Sequence, residues 1–120
     1  EDFNGFTHSE NQLIRNSSDY KLWAKKVFER DNYTCQCCGK RSIKGNHINL
    51  NAHHLKNFAQ NIDLRFNVDN GITLCECCHL PQFKGSFHNL YGCTDNTVEQ
   101  INEYIDNFNK ESEVYFGKSN

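Results

Sequence analysis

The chain has no methionine, a single proline, a single tryptophan and no run of 18 apolar residues anywhere in its 120 positions. Without such a run there is no segment to span a bilayer as a helix, which takes about 20 apolar residues. The opening stretch from Glu1 to Glu10 is acidic and polar, lacking the cationic start and apolar middle of a secretory leader. Neither membrane insertion nor Sec export is expected. The absence of methionine, an initiator included, is compatible with a piece of a longer chain, so further modules stay open. Excess charge is scarce too: 13 basic against 15 acidic residues give a net charge of -2, which is not the balance of a protein held on nucleic acid by bulk electrostatics.

The distribution of charge is more informative than its sum. Residues 20–44 carry Lys21, Lys25, Lys26, Arg30, Lys40, Arg41 and Lys44 against Glu29 and Asp31. Residues 95–113 carry Asp95, Glu99, Glu103, Asp106, Glu111 and Glu113 against Lys110. Two solvated faces of opposite sign explain this as well as a phosphate-facing basic patch does. At this length one domain is expected, with a core that is feasible but not generous.

Cysteine is what the chain has in quantity. Six of its seven cysteines form two tight groups, Cys35-Gln36-Cys37-Cys38 and Cys75-Glu76-Cys77-Cys78. Thiols this close cannot readily pair with one another, and the odd count argues against a disulfide framework, so the pattern is that of a metal site in a reducing, intracellular setting. Two C-x2-C pairs about forty residues apart suit tetrahedral zinc, and four thiolates leave no open position for water. Cys35, Cys38, Cys75 and Cys78 are therefore the expected ligands of a structural Zn2+. Cys37 or Cys77 could replace a neighbour, but the two-residue gap is the commoner bite. Cys93 is expected to be a small core residue.

Along the chain, residues 1–17 read as an arm or linker. Ser18-Asp19 reads as a helix start, and Tyr20, Leu22, Trp23, Ala24, Val27 and Phe28 make an apolar stripe that predicts a helix to about Arg30, with Trp23 in the core. Asp31-Asn32 breaks it. His47 to Leu55 alternates as a short strand does, and Gly71-Ile72-Thr73-Leu74 offers a second strand running into Cys75. Between them Phe58, Ile62, Leu64 and Phe66 look like anchors of a polar connection. Cys78 to Tyr91 predicts a helix interrupted by Pro81 and Gly85. Thr97 and Gln100 form a capping box for a last helix ending near Asn109, and 111–120 read as a tail.

Histidines cluster with the cysteines. His53-His54 ends the first strand, Asn70 precedes the second, and His79 follows the last cysteine pair. Neighbours on a strand face opposite ways, so His53 and His54 can do different jobs. His8 and His47 read as plain surface residues.

The order C-x2-C, His-His, Asn, Leu-Cys-x2-Cys-His resembles the HNH nucleases of the ββα-metal fold over roughly residues 18–110. It looks most like the HNH proteins of phages and group I introns, homing endonucleases among them. There a Trp-containing helix leads into the first cysteine pair, as Lys21-Leu22-Trp23 does here, and a Phe-His-x2-Tyr-Gly segment follows the last, as Phe87 to Gly92 does. The resemblance implies an α+β fold: a small ββα-metal core stapled by a four-cysteine zinc and flanked by N- and C-terminal helices. It further implies cleavage of DNA phosphodiesters to 5′-phosphate and 3′-hydroxyl ends. His54 would be the general base, Asn70 a brace for it, and His53 and His79 the ligands of one catalytic divalent ion such as Mg2+, Mn2+ or Ni2+. In the family the last two histidines often stand four apart on one helix, whereas His79 and His88 are nine apart. His79 is the expected ligand, with His88 a second candidate.

Phosphate contacts would then come from Lys21, Lys25, Lys26, Arg30, Lys40, Arg41 and Lys44, with Lys56 and Lys84 nearer the cleft. One active site in a monomer or weak dimer predicts nicking, and the small net charge suggests that a partner or an additional domain supplies specificity. Two other readings compete. A non-catalytic zinc module recognising nucleic acid or protein would use the cysteines but give His53, His54 and Asn70 no task, and a different metal hydrolase, such as a ribonuclease, is separated by single-metal cleavage of deoxy substrates, for which HNH chemistry needs no 2′-hydroxyl.

Overall fold

A computed structural model describes residue 10, residues 13–14, 17–56 and 62–115, with the side chains of 62 and 112–115 outside the description. His8 and Phe58 therefore lie outside the described residues. Among the described residues these elements follow one another: α1 (Ser18–Arg30), β1 (Leu50–His54), two 3-10 turns (Ile62–Leu64 and Val68–Asn70), β2 (Gly71–Cys75), α2 (Glu76–His79), α3 (Phe87–Tyr91) and α4 (Val98–Tyr115). The fold is mixed α and β, with a ββα-like centre.

The first helix starts one residue earlier than its sequence suggests. Ser17, not Ser18, is the N-cap, its hydroxyl accepting from the Tyr20 amide at 3.3 Å. Trp23 and Val27, one turn apart, are the residues α1 buries. Leu22 points away from that stripe and is 51% exposed, a correction to its place among the apolar contacts. After Asp31 the chain passes through Asn32 and Tyr33 in the left-handed region, turning sharply into the first cysteine knuckle.

β1 and β2 pair antiparallel, with Leu50 opposite Cys75, Ala52 opposite Thr73 and His54 opposite Gly71. One face of the ribbon receives α1. Thr73 donates from its hydroxyl to Val27 O and from its amide to Asp31 Oδ2, stitching β2 to the end of that helix. Arg30 closes the same seam, donating to Val68 O at 2.8 Å, to Gly71 O at 2.7 Å and to the Asp31 carboxylate at 2.9 Å. Burial alone would raise the Asp31 carboxyl, but the hydrogen bonds from Arg30 and Thr73 outweigh it and hold the group below its usual range. The opposite face of the ribbon carries Leu74 into a core with Phe87, Ile101, Tyr104 and the cysteine sulfurs. Phe66 stands 41% exposed and anchors nothing.

The last helix is capped as its sequence says. Gln100 N donates to Thr97 Oγ1 and Thr97 N donates to Gln100 Oε1, both halves of the capping box. It runs to Tyr115, past the expected end at Asn109 and into the expected tail, because nothing between Lys110 and Tyr115 breaks a helix. Among the described residues no helix is long and apolar enough to cross a membrane.

Gly71 is where α1 meets the sheet. A Cβ there would lie 2.5 Å from Val27 Cγ2 and 2.8 Å from Trp23 Cζ2. Gly71→Ala is expected to lower stability by about 1–3 kcal/mol in zinc-loaded protein, since helix and strand must part to admit the methyl. Equilibrium urea unfolding measures this, and an unchanged midpoint would mean that α1 does not rest on the strand there.

Candidate metal centres

The two cysteine knuckles meet at the Leu50–Cys75 end of the ribbon. Cys35, Cys38, Cys75 and Cys78 bring their sulfurs within 4.8 Å of one another. The Cys38 and Cys75 sulfurs are 3.7 Å apart, and a tetrahedron with zinc–sulfur bonds of about 2.3 Å has edges of about 3.8 Å. The donor set and its dimensions fit zinc. The first knuckle is held by its own backbone, Cys38 N donating to Cys35 Sγ at 3.4 Å and Gly39 N to Cys35 O at 2.9 Å. Four close thiols cannot all ionise unaided. A hydrogen bond from Cys78, helped by backbone amides, pulls the Cys35 thiol down to about 4, while burial pushes Cys38 up to about 12 and the bond to Cys35 pushes Cys78 up as well. A divalent cation would remove that conflict by stabilising every thiolate at once.

The remaining cysteines are not part of the tetrad. Cys37 is buried beside it, and Cys77 is exposed. Cys93 is exposed and not a core residue, a correction that follows from its place in the turn after α3, where the chain leaves the core for the start of α4.

A second cluster lies on the α2–α3 face of the ribbon. His53, His79 and His88 bring one ring nitrogen each within 4.8 Å of the others. His79 Nε2 is 3.2 Å from His53 Nδ1 and 3.1 Å from His88 Nε2. Their outer nitrogens decide which atoms carry protons. His88 Nδ1 faces Gly92 O at 2.7 Å, and a carbonyl only accepts, so that nitrogen donates. His79 Nδ1 faces Asn51 Oδ1 at 3.1 Å, the amide oriented by its own donation to Leu50 O. In the neutral rings both Nε2 atoms therefore present lone pairs inward. His53 is 6% exposed, and its Nε2 is buried with no hydrogen-bond partner. Burial, reinforced by the neighbouring imidazoles, holds His53 down at about 3 and His79 at about 4, so both are neutral and ligand-competent near neutral pH. Lone pairs facing one another at hydrogen-bond distance are the arrangement a cation resolves.

His88 is thus brought in, against the expectation that His79 stands without it. The nine-residue separation is bridged by a folded loop. Ser86 donates to Leu80 O at 2.6 Å and caps α3, Tyr104 OH of α4 donates to Gly85 O at 2.9 Å, and Phe87 is fully buried beneath. The interrupted helix of residues 78–91 is two short helices, α2 and α3, folded so that their histidines meet.

His54 lies on the other face of β1, next to His53 in sequence but directed at α1. Its ring stacks on Trp23 with centroids 3.9 Å apart and planes 12° apart. His54 Nε2 faces Arg65 O at 2.9 Å, so Nε2 carries the proton and Nδ1 the lone pair in the neutral ring. Asn70 is buried and braces the connection that presents that carbonyl. Its Oδ1 accepts from Lys56 N at 2.8 Å, and its Nδ2 donates to Lys56 O at 3.2 Å and Leu64 O at 3.3 Å.

Of the basic residues, Lys21, Lys25, Lys26, Lys40, Lys44, Lys56 and Lys84 are exposed. Arg41 is exposed with one donor on Asn32 Oδ1. Arg30 is exposed too, and its guanidinium donates to Asp31, Val68 O and Gly71 O, a tie between elements. Sequence reasoning did not single out Asn51 or the Arg65 carbonyl. Asn51 carried a legible signal, standing two positions before His53 and so on its face of the strand.

Alkylation of the zinc-loaded protein is expected to label Cys77 and Cys93 and spare the other five thiols, with all seven labelled, and the cooperative melt lost, in strong chelator. Peptide mass spectrometry and circular dichroism report both. Protection unchanged by chelator would remove the four-cysteine site. Compared with known proteins, the chain matches no family model, no curated protein and no solved structure.

Proposed function

We propose that this chain is a metal-dependent endonuclease of the HNH kind, hydrolysing DNA phosphodiesters with His54 as general base. The observation that carries the reading is the placement of three converging imidazoles and a fourth, separately oriented one on opposite faces of a single strand, beside a brace built from Asn70. The competing zinc-module reading leaves this arrangement without a purpose.

His53, His79 and His88 would hold one divalent ion. When bound, such an ion offsets the charge that builds on the attacked phosphate and on the departing 3′ oxygen. Three imidazole nitrogens favour a transition metal such as Ni2+ or Zn2+ over Mg2+, which prefers oxygen donors. His54 takes a proton from the attacking water at Nδ1, because Nε2 already donates to Arg65 O, leaving a 5′-phosphate and a 3′-hydroxyl. Asn70 holds the loop and, through it, the carbonyl that fixes the base. Lys56, Lys84 and the cluster Lys21, Lys25, Lys26, Lys40, Arg41 and Lys44 supply phosphate contacts along the backbone. With a single site per chain, a monomer nicks, and double-strand cuts need two events or two copies.

The test is conversion of supercoiled plasmid to open circle with Mg2+, Mn2+, Ni2+ or EDTA, for wild type and His54→Ala. Metal-dependent nicking that falls at least a hundredfold in a folded, zinc-loaded His54→Ala protein is expected. Wild-type protein that binds DNA but cuts with none of these ions would favour the zinc-binding recognition module instead.

A further inference from the structure

We infer that Trp23 is a positioning residue for His54, its indole fixing the plane of the imidazole and hence the direction of Nδ1. This deepens the nuclease reading and rests on it for its catalytic consequence. A histidine at the end of a strand retains freedom about two side-chain torsions. The hydrogen bond from Nε2 to Arg65 O pins one edge of the ring, and a flat surface packed against the ring face restricts the tilt of its plane. Trp23 supplies one, 3.9 Å away and within 12° of parallel, while Tyr20 approaches the same imidazole at 5.9 Å and 42°.

The indole is suited to the task because it is itself immobilised. It is 2% exposed, it lies where Gly71 has no room for a Cβ, and its Nε1–H donates to Asn67 O at 2.8 Å. Asn67 opens the 3-10 turn that ends at Asn70. One connection therefore grips both rings, the imidazole through Arg65 O and the indole through Asn67 O two residues on. Asn70 anchors that connection at Leu64 and Lys56. A buried indole takes an acceptor for its N–H wherever it packs; what singles this one out is that it lies parallel to a polar ring and that its acceptor belongs to the connection that orients that ring.

Trp23→Leu keeps an apolar filling but has no flat face, and Trp23→Phe keeps a smaller face without the Nε1–H. Both would be compared with wild type at equal zinc content. Long-range proton–nitrogen NMR of the His54 ring, at a pH where the ring is neutral, needs no substrate. Wild type is expected to show a single Nε2–H tautomer, Trp23→Leu an average of the two, and Trp23→Phe a state in between. In plasmid nicking, kcat should fall on the order of tenfold to a hundredfold in Trp23→Leu with KM unchanged, and Trp23→Phe should recover most of it. A single tautomer and wild-type kcat in Trp23→Leu overturn the inference. If that variant does not fold, Trp23→Met, apolar and likewise without a flat face, decides by the same two readouts, and a single tautomer with wild-type kcat in it overturns the inference equally. Tautomer averaging in a protein that never cuts DNA would overturn the nuclease reading while leaving the hold of Trp23 on His54 standing.

Discussion

A two-stranded ribbon of five residues a side is marginal in water, and the four sulfurs at its Leu50–Cys75 end supply what the ribbon lacks. Cys75 is the last residue of β2, and Cys78 lies on the helix that follows. Cys35 and Cys38 come from the knuckle after α1. Tying these together sets where α1 ends relative to the ribbon, and with it the seam made by Arg30, Asp31 and Thr73. It also aims α2, which starts one residue after Cys75 and ends at His79. The buried apolar set is small, and half of the main cluster of Cys35, Cys37, Leu74, Cys75, Cys78, Phe87, Ile101 and Tyr104 is sulfur. A bound metal at this junction would contribute folding free energy directly, in place of a larger core.

The histidine cluster is assembled by a different means, on the face of the ribbon that α2 and α3 cover. Three elements meet there: β1 contributes His53, α2 His79 and α3 His88, and the hydrogen bonds these last two rings donate to Asn51 Oδ1 and the Gly92 carbonyl turn them inward. The ribbon is therefore a partition. One face presents a group of converging imidazole nitrogens, the other an imidazole in a slot between Trp23 and the Arg65 carbonyl.

Much of this was legible in the sequence. Doubled C-x2-C spacing named the four sulfurs, because tetrahedral ligation constrains spacing tightly. Alternation across His53-His54 indicated that the two rings part company. The capping box at Thr97 was readable because a cap is a local hydrogen bond. What escaped were features set by packing across the chain. His88 was legible as a second candidate, but not the loop that carries it across nine residues to His79, which is folded by the Ser86, Tyr104 and Phe87 contacts. Arg30 reads as one more surface cation until the carbonyls of Val68 and Gly71, some forty residues away, come to it. Cys93 reads as buried because cysteine usually is, and nothing local shows that the turn leaves it in solvent. Leu22 belongs to an apolar run whose outer side is revealed only by where the ribbon sits.

Because His53 and His54 are joined by a single peptide bond in a strand, their separation is not adjustable. A shift of β1 by one position against β2 would send the buried imidazole toward Trp23 and turn its neighbour toward His79 and His88. Lengthening or shortening the chain between the first knuckle and His53 is thus tolerable only where the change is absorbed before Leu50. Within Leu50–His54 the ribbon accepts changes in steps of two residues, and parity, more than side-chain chemistry, is what limits how this strand can vary.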